Sequence, residues 1–115
     1  MAIQKWSESV MLVNIDSESR VDEELQGVTE LASKNVDCDI VVQFPFVSTI
    51  SSSSITELLR LHKSLKLSGR RLILSSVSSK TKKVLRLTGL DTYFEITTDY
   101  HAALSKLQET NRNLD

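Results

Sequence analysis

Two short apolar runs, Ile40-Val41-Val42 and Leu72-Ile73-Leu74, constrain this chain more than any other feature. Neither is interrupted by a polar residue. Continuous runs of this kind suit strands that are buried on both faces, as in a parallel sheet. Between them, Ile55, Leu58, Leu59, His62 and Leu65 recur at helical spacing. Strand, helix and strand in this order argue for an α/β domain.

The alternation continues in both directions. Ile3 to Trp6 and Val10 to Ile15 read as strands, with a hairpin around Ser7-Glu8-Ser9. Asp22-Glu23-Glu24 forms an acidic first helical turn, where carboxylates complement the dipole. Val21, Leu25, Val28, Leu31 and Ala32 carry that helix to about Lys34. Pro45 ends the strand at Val42, and Phe46 to Ile50 lead to the next helix. Ser68-Gly69 stops it, because glycine tolerates the left-handed conformation after a last turn. Val77, Thr81, Val84, Leu85 and Thr88 trace a third helix face, closed by Gly89-Leu90 in a Schellman motif. Phe94-Glu95-Ile96 reads as a short edge strand. Thr98 or Asp99 caps a last helix with Tyr100, Leu104 and Leu107 inward. Residues 1–110 make one domain, and 111–115 are a polar tail.

Composition excludes several functions. A formal net charge of −1, with acids and bases interspersed, gives no basic footprint for nucleic acid. Lys80, Lys82, Lys83 and Arg86 read as a solvated helix face, and Arg70 and Arg71 as the start of a strand. The glycines Gly27, Gly69 and Gly89 are too far apart for a dinucleotide fingerprint or a Walker loop. His62 falls on an apolar helix face and reads as a packed histidine. His101 reads as solvated. Neither has metal-ligand spacing to a cysteine or carboxylate, so no metal or cofactor is expected. Cys38, the only cysteine, reads as a buried inert thiol in a reducing compartment. No signal peptide and no membrane-spanning run is apparent, and a soluble cytoplasmic protein is expected.

The run Ser51-Ser52-Ser53-Ser54 stands where the apolar segment hands over to the second helix. Two readings are open. Serine is a preferred helix cap, and Ser54-Ile55-Thr56-Glu57 fits a capping box with Ser54 as the cap. Alternatively the hydroxyls face a helix N-terminus, where unpaired N–H groups and the dipole stabilise a phosphate. A serine hydrolase is a third class. It lacks the glycine-flanked elbow, so Ser52 is not read as a nucleophile.

The order of motifs resembles the STAS domain of anti-sigma factor antagonists. The family has an apolar-aspartate-serine-serine-glycine segment leading into a helix, where this chain has Ile50-Ser51-Ser52-Ser53-Ser54-Ile55. Gly69-Arg70-Arg71-Leu72-Ile73-Leu74, Val77-Ser78, Val84-Leu85 and Leu87-Thr88-Gly89-Leu90-Asp91 follow the family pattern closely. Ser19-Arg20-Val21-Asp22 resembles its glycine-arginine-leucine-aspartate turn. Ser51 and Gln43 stand where the family has aspartates, and Ser54 and Ser19 where it has glycines.

The resemblance implies a single STAS-like domain: a mixed sheet of four to five strands, with about four helices packed mainly on one face. It implies a non-enzymatic anti-sigma factor antagonist. The partner would be an anti-sigma factor of the ATPase serine-kinase type, released by phosphorylation and restored by a serine phosphatase. The phosphoacceptor would be Ser52, with Ser51 and Ser53 as the lesser candidates. The partner surface would be Ser19, Arg20, Asp22, Ser51, Ser53, Ile55, Thr56, Val77 and Ser78. Phe44 or Phe46 either anchors the partner or packs in the core. A phosphorylation-independent STAS adaptor in a larger regulatory or lipid-transport assembly is the alternative.

Overall fold

The structure, a computed structural model, describes residues 1–34 and 37–113, with side chains through Gln108. Strands β1 (Ala2–Ser7), β2 (Val10–Asn14), β3 (Asp39–Gln43), β4 (Leu72–Ser75) and β5 (Glu95–Thr97) form one sheet in chain order. The β1–β2 hairpin is antiparallel, and every later pairing is parallel. Helices α1 (Val21–Ser33), α2 (Ser52–Leu67) and α3 (Ser79–Leu87) are the crossovers, and α4 (Tyr100–Asn113) follows β5.

This strand order fixes where the helices go. Parallel crossovers are right-handed. When each new strand is added on the same side, successive right-handed crossovers all fall on one face. Side chains from α1, α2 and α3 accordingly share one core with Met11, Val13, Ile40, Val42, Leu72 and Leu74. The opposite face holds Val10, Leu12, Val41 and Ile73, and α4 closes over it with Ala103, Leu104 and Leu107. The runs Val10–Val13, Ile40–Val42 and Leu72–Leu74 are apolar without a break because successive residues serve different cores.

The helix ends follow the glycines. Gly69 has φ 71°, and the Arg70 and Gly69 N–H groups donate to the Leu65 and Lys66 carbonyls at 2.8 and 3.0 Å. Gly89 has φ 76°, and Leu90 and Gly89 close α3 on Leu85 and Arg86 in the same way. Both are Schellman motifs.

Three expectations change. Val77 does not lie on α3: it precedes the cap Ser78, yet is still buried at 8% exposure. Tyr100 is 36% exposed and lies against His101 instead of facing inward. Leu61, outside the expected stripe, is fully buried, because α2 packs against α1 as well as the sheet. Asp99 is the cap of α4, accepting from the Ala102 N–H at 2.9 Å. The helix continues to Asn113, into the polar stretch, where no glycine or proline stops it. Among the described residues, no helix is long and apolar enough to cross a membrane.

Candidate functional site

The C-terminal ends of the parallel strands bring the expected residues to one edge. Adjacent exits are tied by backbone bonds: Ile15 N–H to the Gln43 carbonyl at 3.0 Å, and Phe44 N–H to the Ser75 carbonyl at 3.1 Å. Ligand sites in open parallel sheets favour this end, where the loops are not committed to the core. A 3-10 turn (Glu18–Arg20) enters α1 here, and the loop from β3 enters α2.

The serine run is a network with separate roles for each hydroxyl. Ser51 is the N-cap of α2, its Oγ accepting from the Ser54 N–H at 3.2 Å. The expected cap, Ser54, is therefore corrected. Its hydroxyl is buried and donates to Asp22 Oδ1, which starts α2 a turn earlier than the capping-box pattern predicts. Glu57, the other half of that box, instead pairs with Arg60 at 3.3 Å. Ser53 is exposed, and its hydroxyl donates to Asp22 Oδ2 at 2.5 Å. Ser51 Oγ lies within hydrogen-bond distance of both Ser53 Oγ and Ser54 Oγ. Ser52 is exposed at the first position of the helix, and its hydroxyl enters none of these bonds.

Asp22 thus joins the start of α1 to the start of α2. Beside it lies a cleft of about 450 Å³ lined by Glu18, Ser19, Val21, Asp22, Glu23, Thr49, Ile50, Ser51 and Ser54. Glu18 holds the preceding loop: one carboxylate oxygen accepts from the Ser48 hydroxyl at 2.6 Å and from the Ser48 and Thr49 N–H groups at 3.2 and 3.1 Å. The Ser48 hydroxyl and the Thr49 N–H hold this carboxyl below its usual value of 4.5. Across the loop, Ser78 Oγ donates to the Ser48 carbonyl at 2.6 Å and accepts from the Thr81 N–H at 3.1 Å, capping α3.

The remaining expected residues divide. Ser19 and Arg20 are exposed, with Ser19 bonded to Ser17 and Arg20 paired with Glu23 at 3.3 Å. Thr56 is exposed and bonds back to the Ser52 carbonyl at 3.1 Å. Ile55 packs against the core while half-buried. Val77 is buried, so it supports the edge from below instead of forming its surface. Phe44 is in the core at 4% exposure, whereas Phe46 stands out at 72%. Sequence reasoning missed Glu18, Ser48 and Thr49. Glu18 looks locally like Glu23, and only its contact 30 positions away distinguishes it.

No curated protein matches this chain. Solved structures do. TM1081 of Thermotoga maritima, a candidate anti-sigma factor antagonist, superposes with a TM-score of 0.78 at 22% identity, over 93% of each chain. The unphosphorylated anti-sigma factor antagonist SpoIIAA gives 0.75 at 16% identity, over 94% of this chain and 96% of that one. The phosphorylated Bacillus cell fate determinant SpoIIAA gives 0.68 at 18% identity, over 89% and 95%. Identities this low establish a shared fold. The sequence itself supplies the lineage: residues 6–103 match the STAS domain. With the fold in agreement, the chain belongs to the STAS domain family.

Proposed function

We propose that this protein is an anti-sigma factor antagonist that binds an anti-sigma factor through the edge around α2, and that phosphorylation of Ser52 switches the binding. One observation carries the reading. Ser52 is the exposed hydroxyl at the positive end of a 16-residue helix, while its three serine neighbours are engaged in capping or with Asp22. A kinase reaching this edge meets Ser52 without first breaking those bonds.

A phosphoserine there adds close to two negative charges near neutral pH. First-turn N–H groups of α2 favour it. The adjoining cleft carries Glu18, Asp22 and Glu23, so the modified edge becomes strongly anionic. A partner surface fitted to the unmodified edge then loses affinity. A difference of about 3 kcal/mol corresponds to more than a hundredfold. The partner fitted to this switch is an anti-sigma factor with ATP-dependent serine kinase activity, and a serine phosphatase would reverse it.

The test is incubation with the cognate kinase and ATP, read by intact mass. One phosphate is expected, absent in Ser52→Ala. Ser52→Ala should retain binding and Ser52→Asp should weaken it. Phosphate that leaves partner affinity unchanged would falsify the switch. The same three carboxylates favour a second reading, because they oppose a dianion beside them. In that reading the domain is a phosphorylation-independent adaptor, and Ser52→Asp binds its partner as the wild type does.

A further inference from the structure

At the other side of α3, two observations coincide. The sheet ends at β5, which pairs with β4 alone among the described residues, so its outer backbone edge is open. Alongside runs a cleft of about 490 Å³ lined by Ser79, Lys82, Lys83, Arg86, Asp91 and Ile96. Lys82, Lys83 and Arg86 are exposed. Among the described side chains, Arg20, Arg60, Arg70 and Arg71 each meet a carboxylate, and Arg86 does not. Lys82 and Arg86 are one helical turn apart, a like-charge spacing that weakens a helix. Asp91 is the single carboxylate lining the cleft, against three cations.

We infer that the cleft and the β5 edge together bind an extended acidic peptide segment of a partner protein. An open strand edge offers backbone pairing to an added strand. In such a strand alternate side chains point to one face, so carboxylates at every second position would all face α3. The Arg86 guanidinium presents a fork suited to a carboxylate. Asp91 repels a small phosphate-like anion, whose charge is not spread along a chain, but can accept from a peptide N–H. Ile96, in the middle of β5, gives the segment an apolar contact. Because β5 is only three residues long, backbone pairing is brief and the charges must contribute. The inference does not depend on Ser52 or on the identity of the anti-sigma factor.

The full chain, labelled with ¹⁵N, is titrated with a synthetic peptide of alternating glutamate and threonine. A glutamine–threonine peptide and sodium pyrophosphate are the comparison arms. With the acidic peptide, amide shifts should concentrate at residues 95–97 and 82–86, and the neutral peptide should give none. The variant K82Q/K83Q/R86Q should weaken binding at least about tenfold, with its other amides unmoved. If that variant misfolds, Arg86→Gln with a salt titration reads the same contact. Absence of shifts, equal shifts with the neutral peptide, or α3 shifts reproduced by pyrophosphate without β5 shifts would each overturn the inference.

Discussion

The Ser54 hydroxyl donates to Asp22 Oδ1 across 32 positions of the chain, locking the first turns of two helices together. Ser54 is buried at 3% exposure, so the bond has little competition from water. Removing Asp22 leaves this hydroxyl only the Ser51 oxygen, at 3.0 Å, and releases Ser53. Asp22→Ala should cost roughly 1–3 kcal/mol in urea unfolding, the range for losing a hydrogen bond to a charged group. In a double-mutant cycle, Asp22→Ala and Ser54→Ala should be non-additive. Simple additivity would mean the contact is not energetically coupled.

Ser51 supplies the cap, so its loss should be felt at the helix end. Ser51→Ala should destabilise the domain by about 1 kcal/mol, while Ser51→Asn, which keeps an acceptor, should cost less. Thermal melts of the two variants separate these outcomes. Equal losses would show that the hydroxyl's contacts with Ser53 and Ser54, not the cap, are what matters.

Ser76 has φ 55°, the one non-glycine residue with positive φ among those described. A side chain there carries a conformational cost that glycine does not. Ser76 is half-buried, and its N–H bonds to the Thr98 carbonyl at 3.2 Å, a backbone contact that glycine preserves. Ser76→Gly should therefore stabilise the fold by about 0.5–1 kcal/mol, less the added unfolded-state entropy of glycine. A lowered urea midpoint would contradict this.

His62 lies against the rings of Tyr93 and Phe94, with centroids 4.6 and 5.8 Å away. Burial, aided by Lys66, pushes its pKa below the usual 6.5, and Glu95 opposes weakly. The unfolded chain therefore takes up the proton first as pH falls. The stabilising contribution is present above 6.5 and is lost progressively below it. His62→Phe should flatten stability against pH below 6.5. An unchanged slope would assign the loss to the carboxylates.

The parts of the fold that depend on local chemistry were legible in the sequence. Val41 and Ile73 face one core while their neighbours face the other, and unbroken apolar runs announce that arrangement. Gly69 and Gly89 announce their own turns. The site was legible in place but not in detail. Four successive serines have the same intrinsic capping tendency, so the sequence could not say which one caps. Asp22 decides it by engaging Ser54, and that contact comes from tertiary structure. Glu18 was missed for the same reason, since Ser48 and Thr49 reach it only after the sheet has formed. Val77 was misplaced because burial continues beyond the helix, so that periodicity alone extends the helix too far.

Sheet order and chain order coincide from β1 to β5. No later strand has to be inserted between two earlier ones. During synthesis each strand can dock on the edge left by its predecessor, and the helix already made can cover it. Each docking step closes only a single crossover, which keeps the entropy cost of each addition low. The edge carrying Asp22, the serines and Ser78 becomes complete when β4 and the cap of α3 are in place, before β5 and α4 exist. Translation can therefore deliver this edge ahead of the finished domain.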